Sequence, residues 1–157
     1  RGERPRMANS TDDRIRGLED AEAIRNLIAS YGPLADIGDA QGVAALWAEN
    51  GSYSVGDFGE AKGWEHIAAL IQSDTHQQLL ATGCGHILTA PHITLSGDSA
   101  VAINHSVVFR NSGDCHQAWR VSANRWELVR TDIGWRVQHR RNRPLNGDGA
   151  ARNLLGV

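Results

Sequence analysis

The sequence predicts an α+β fold in which three N-terminal helices pack on one face of a curved, mainly antiparallel sheet around an interior pocket. Three observations predict it. Apolar residues recur at intervals of three and four as far as about Leu80, and from Gly85 onward they alternate with polar ones. The alternating segments are joined by turns short enough to make consecutive strands antiparallel. Three helices are too few to fill the hollow of such a sheet, which leaves a pocket on its concave side.

The first helix carries Ile15, Leu18, Ala21, Ile24, Leu27, Ile28 and Tyr31 on one face. Thr11 or Asp12 serves as its N-cap, and Pro33, with no amide hydrogen, is expected to end it. Asp39 caps a short second helix bearing Val43, Leu46 and Trp47, stopped near Asn50-Gly51. Residues 52–55 read as a short strand and 56–63 as a glycine-rich loop. Trp64, Ile67, Ala68, Leu70 and Ile71 define a third helix that continues, bent or broken, to Leu80.

Four β-rich segments come next, at 86–95, 100–110, 117–130 and 135–142, separated by Ser-Gly-Asp, Asn-Ser-Gly-Asp and Asp-Ile-Gly turns. In the third, the apolar set runs Trp119, Val121, Ala123 and then Trp126, Leu128, a change of phase that predicts a bulge near Asn124. Residues 12–143 form the domain. Residues 1–11, with no apolar core before Met7 and hence no signal peptide, read as disordered or vector-derived. Residues 144–157 read as a C-terminal tail with a mobile polar half and a frayed end, unless Leu154-Leu155 cover a pocket or a neighbouring subunit.

At 157 residues and 41% hydrophobic content the chain is one domain in size, and its formal charge of −2 offers no field for nucleic acid or an anionic membrane. Two cysteines make no disulfide framework, and no apolar run approaches the ~20 residues of a membrane span, so a cytoplasmic enzyme or binding protein is expected.

The stretch from Tyr31 to Asp36 sets a tyrosine and a carboxylate where a helix gives way to the next element. Its natural partner is His86, at the start of a strand, because a histidine bonded to a carboxylate is held in one tautomer and suited to act as a general base. Asp36 as a simple turn or capping residue is the other reading. His105 shares parity with Val101, Ile103, Val107 and Phe109 and is therefore expected on the buried face, as a satisfied core histidine or a pocket group. Near the end of the last strand either His139 or Arg140 faces the pocket. His66, His76, His92 and His116 read as surface or loop residues. No His-x-x-x-His, Cys-x-x-Cys, Gly-x-Gly-x-x-Gly or phosphate-loop pattern is present, so no metal or cofactor is expected. Cys84 two residues before His86 leaves open a thiol-imidazole pairing.

Several stretches together carry a resemblance: Ala-Ile-Arg-Asn-Leu-Ile-Ala-Ser-Tyr ending at Tyr31, Ala-Asp-Ile-Gly-Asp from Ala35, Ala-Leu-Trp-Ala-Glu-Asn-Gly from Ala45, Gly-His-Ile-Leu-Thr from Gly85 and Gly-Trp-Arg-Val-Gln-His-Arg from Gly134. They resemble the SnoaL-like branch of the NTF2-like superfamily, whose cone-shaped fold hosts many chemistries. Within it the pattern is similar to the scytalone dehydratase, hexachlorocyclohexane dehydrochlorinase and bile-acid dehydratase group. The resemblance implies an Asp-His dyad at Asp36 and His86, with Tyr31, His105 and Arg140 as substrate-binding residues.

The expected activity is that of a cofactor-independent lyase or isomerase of the dehydratase type, acting on a small apolar or cyclic molecule. The alternatives are a non-catalytic NTF2-like binding module, as in dioxygenase small subunits, and a ketosteroid-isomerase-like or polyketide-cyclase-like enzyme. Relatives and the apolar outer face of the sheet imply a homo-oligomer, dimer or trimer.

Overall fold

Helix α1 (Thr11–Asp36) is capped by Ser10, one residue before the expected Thr11 or Asp12. Ser10 Oγ accepts from the Asp13 amide, and the Asp13 carboxylate accepts in return from the Ser10 amide, both at 3.1 Å. The computed structural model describes residues 10–56 and 59–156, so the reading of 1–11 as disordered lies outside the described residues except at Ser10 and Thr11, which build this cap. Pro33 does not end α1. It sits in the last turn, where its missing amide costs one bond while its carbonyl still accepts from the Ile37 amide at 3.1 Å. That extra turn carries Asp36. Only Ile24, Ile28, Tyr31, Gly32 and Ala35 are buried on α1, since Ile15 and Leu18 lie in the exposed first turns.

Asp39 caps α2 (Ala40–Ala44), its Oδ1 accepting from the Gly42 amide at 2.8 Å. This helix is shorter than its apolar spacing suggests, because Trp47 opens strand β1 (Trp47–Val55) and is wholly buried from there. The supposed loop contains strand β2 (Glu60–Lys62), antiparallel to β1. Helices α3 (Gly63–Gln72) and α4 (Asp74–Thr82) are the broken third helix, interrupted at Ser73, whose Oγ accepts from the His76 amide.

Pro91 divides the segment predicted as one strand into β3 (Cys84–Leu88) and β4 (His92–Ser96), both antiparallel to β5 (Ser99–Asn111). Strands β6 (His116–Thr131) and β7 (Gly134–Pro144) continue the meander, and β7 then pairs in parallel with β1. The order is β2-β1-β7-β6-β5-β3, with β4 beside β5. The tail is not frayed: residues 149–153 form helix α5 (Gly149–Asn153), and Ala151 and Leu154 are buried.

The bulge predicted at Asn124 is absent. Asn124 pairs regularly between Asn104 and Asn142, and the register slips instead opposite Trp119 and Gln138. The change of apolar phase has another cause: the inward face of β6 is Ser122, Asn124, Trp126 and Leu128, while Val121 points outward and Trp119, at the register slip, lies against Arg110 and lines the cavity. Helices α1 to α3 close the concave face over Ile28, Val43, Trp47, Ile67, Trp126, Leu128 and Val137. Each such side chain contributes roughly 1.5–3 kcal/mol on full burial.

Candidate active site

The site begins with a missing side chain. Gly32 lies where α1 crosses β3, and a Cβ there would drive into the His86 carbonyl oxygen. Glycine lets the helix settle on the strand backbone, and one turn later Asp36 meets His86. The His86 Nδ1–H donates to Asp36 Oδ1 at 2.6 Å, and the His86 amide donates to both carboxylate oxygens at 3.2 and 3.0 Å. With Nδ1 committed, Nε2 holds the free lone pair of a side chain that lines the cavity. Burial holds the His86 pKa below its ordinary 6.5 against the opposing pull of Asp36, and His76 and Arg140 add to the depression.

His76, read from sequence as a surface residue, is a second interior imidazole. Its Nε2–H donates to the Ala35 carbonyl at 2.8 Å, which fixes its tautomer, and its ring tilts beside that of His86 with centroids 5.4 Å apart. The available signal was its spacing of three from Leu79, which places both on the buried side of α4.

Opposite the imidazoles stands Arg140, 1% exposed. Its guanidinium carbon lies 4.2, 4.5 and 4.0 Å from the ring centroids of Tyr31, Tyr53 and Trp126. Nε and Nη2 donate to Asn124 Oδ1, whereas Nη1 is the one buried side-chain nitrogen or oxygen among the described residues with no partner. Burial pushes the Tyr53 phenol far above its ordinary value despite Arg140, and its hydrogen bond with Tyr31 pushes the same way, so it remains a donor. Tyr31 bridges the two poles, its ring edge-on to both His86 and Trp126.

Between the poles lies a cavity of about 260 Å³, walled by Val55, Leu70, Ile71, Leu79 and Leu88. No Asp or Glu is among the described residues that line it. Asp36, Cys84 and His86 also present ligand-type atoms within 4.8 Å of one another. Burial and the Asp36 charge push the Cys84 thiol up, so it stays a protonated donor, 3.8 Å from Asp36 Oδ1. A cation would have to displace both that proton and the one between Asp36 and His86.

Of the residues singled out in the sequence, Asp36, His86, Tyr31 and Arg140 converge. His105 does not. It is exposed on the outer face of β5, because the inward parity of that strand is Ala100, Ala102, Asn104 and Ser106. Large aromatic and guanidinium groups occupy the hollow, so small and polar residues line this part of the sheet while the bulkier aliphatics face outward. His139 likewise turns from the cavity to Ser52 Oγ, at 2.5 Å from its Nδ1.

Helices closed over a curved sheet, with these groups converging in the hollow, define an NTF2-like protein of cystatin-like fold. The chain belongs to the SnoaL-like domain family, whose profile matches residues 16–141. It is 50% identical to an NTF2-like protein with a cystatin-like fold from Novosphingobium aromaticivorans, with a TM-score of 0.92 over 96% of this chain and 99% of that one. A protein of unknown function from Mycobacterium tuberculosis shares the fold at 20% identity and TM-score 0.73, over 94% of this chain and 89% of that one. ActVI-ORFA from Streptomyces coelicolor does so at 17% and 0.69, over 79% and 96% respectively. No curated protein matches the chain. No helix among the described residues is long and apolar enough to cross a membrane.

Proposed function

We propose that the chain is a cofactor-independent lyase or isomerase of the dehydratase type, acting on a small, mainly apolar or cyclic molecule. The observation that carries this reading is the 2.6 Å bond from His86 to Asp36, which leaves Nε2 as a neutral, oriented base on the cavity wall. In an elimination, a C–H proton passes to Nε2 and its electron pair forms the new double bond. The C–O bond breaks, and the departing hydroxide takes the proton back from the imidazolium to leave as water. The Tyr31 hydroxyl hydrogen-bonds the oxygen on which negative charge develops, worth about 3 kcal/mol of barrier in a dry site, and Arg140 holds the substrate from the opposite pole. In an isomerisation the same proton returns to a different carbon.

The absence of a carboxylate among the described lining residues weighs against a ketosteroid-isomerase-like base. A binding module remains the competing reading, and it assigns the Asp36-His86 bond a structural role. A panel of β-hydroxy carbonyl compounds assayed with wild type and His86→Ala separates the two. Turnover lost in the variant supports the base assignment, and turnover that survives in it rejects that assignment. Ile87 and Val121, 54% and 42% exposed on the outer face, support self-association as a dimer or trimer, testable by light scattering on the purified chain.

A further inference from the structure

Asn104, Asn124 and Asn142 stand in register on β5, β6 and β7 and form one buried polar row, of which Asn142 lines the cavity. The acceptors of this row are all taken. Asn124 Oδ1 receives Arg140 Nε, Arg140 Nη2 and Asn142 Nδ2 at 3.1, 2.8 and 2.8 Å. Asn142 Oδ1 receives Arg120 Nη2 at 2.8 Å, and Asn104 Oδ1 receives Trp126 Nε1 at 3.0 Å. Ser106 Oγ accepts from Asn124 Nδ2 at 2.9 Å, and Ser122 Oγ from Arg120 Nε at 3.3 Å. What is left over is a set of donors: Arg140 Nη1 and the hydroxyl protons of Ser106 and Ser122, which have no protein acceptor among the described residues. All three residues line the cavity.

The charge is unbalanced in the same place. Among the described residues no carboxylate lies within ion-pair distance of Arg140, and its three aromatic neighbours ease the burial of a cation without neutralising it. A buried guanidinium with an unfilled N–H calls for an anion that brings acceptor oxygens, the pairing for which arginine geometry is suited. We infer that the natural ligand is a small organic acid, a carboxylate on a one- or two-ring apolar body, seated with its carboxylate on Arg140, Ser106 and Ser122. This rests on the reading of the cavity as the substrate site. It adds that the ligand carries its negative charge from the start, beyond any charge that develops during reaction. The apolar walls take the ring, which places its far end toward His86 and His76.

Calorimetry on the full chain at neutral pH, with benzoate, phenylacetate and 2-naphthoate each compared with its own carboxamide, tests the inference. Acid and amide match in size and shape and differ in charge. At least one acid is expected to bind about tenfold or more tightly than its amide. Arg140→Gln abolishes that preference and Ser106→Ala, a milder change should the first variant fold poorly, reduces it severalfold. If wild type prefers no acid over its amide, or if the preference survives Arg140→Gln, the inference is overturned. His86→Ala distinguishes it from the proposed reaction: it keeps the acid preference and loses turnover. Turnover that persists in His86→Ala alongside an intact acid preference sinks the base assignment and leaves the anion site standing.

Discussion

Asp36 and His86 are fifty residues apart in the chain and 2.6 Å apart in the fold, joined through Nδ1 and again through the His86 amide. Because the carboxylate holds both ring and strand, its loss affects orientation as well as charge. His86→Ala is expected to lower kcat by about 10²–10⁴-fold. Asp36→Asn should fall on the same scale, and the double variant should be no worse than His86→Ala, since groups that act as a unit are not additive. Additive losses in steady-state kinetics would show the two residues working separately.

The lowered pKa of His86 gives a signed pH dependence. The base stays neutral below pH 6.5, so the acid limb of kcat/KM is expected below that value. As pH falls through 6.5, the unfolded state takes up the proton before the folded one, so stability is full above the unfolded value and erodes as pH drops toward the folded one. Thermal melts across this range should show that slope, and His86→Gln should flatten it.

Gly32→Ala separates propensity from packing. Helix propensity alone would make alanine stabilising by about 1 kcal/mol. The contact with the His86 carbonyl oxygen instead predicts a loss of about 1–3 kcal/mol, with the Asp36-His86 bond loosened. Urea denaturation reads the first, and loss of the downfield Nδ1 proton resonance of His86 reads the second. A more stable variant would contradict the close approach of α1 to β3.

A second anchor holds the other end of α1. Arg130 Nη1 and Nη2 donate to the two Asp20 oxygens at 2.8 and 2.6 Å, Trp135 Nε1 donates to one of them at 3.0 Å, and Arg130 lies over the Trp135 ring. The bonds from Arg130 hold the Asp20 carboxyl below its usual range. Asp20→Asn is expected to cost about 2 kcal/mol at neutral pH. The difference from wild type should shrink in strong acid, as protonation removes the wild-type charge.

His105→Ala should leave kinetic constants within about twofold, whereas His76→Ala should lower kcat/KM and move its acid limb up toward 6.5, since His76 helps depress His86. The contrast marks where sequence was readable. Order and type of the main helices and strands followed from apolar period, though β2, the break at Pro91 and α5 did not, and Asp36, His86, Tyr31 and Arg140 stood out through resemblance to a dyad family. Which face of β5 looks inward was not readable, because Val101, Ile103, Val107 and Phe109 form the more apolar stripe and yet lie on the outer side. An alternation says that two faces differ, and here the hollow filled with aromatics selects the smaller, more polar one. The Asn104-Asn124-Asn142 row was hidden for the same reason, and His76 because α4 shows too little of its period.

The parallel pairing of β1 with β7 has a consequence for how the protein comes into being. The His86 imidazole arrives with β3 and its carboxylate partner with α1, but the guanidinium rides on β7, which must lie down between β1 and β6. Until β7 is in place Asp36 and His86 can meet, but Tyr53 and Trp126 lack the cation they enclose. Burial of Arg140 and closure of the sheet between β1 and β6 are therefore one event.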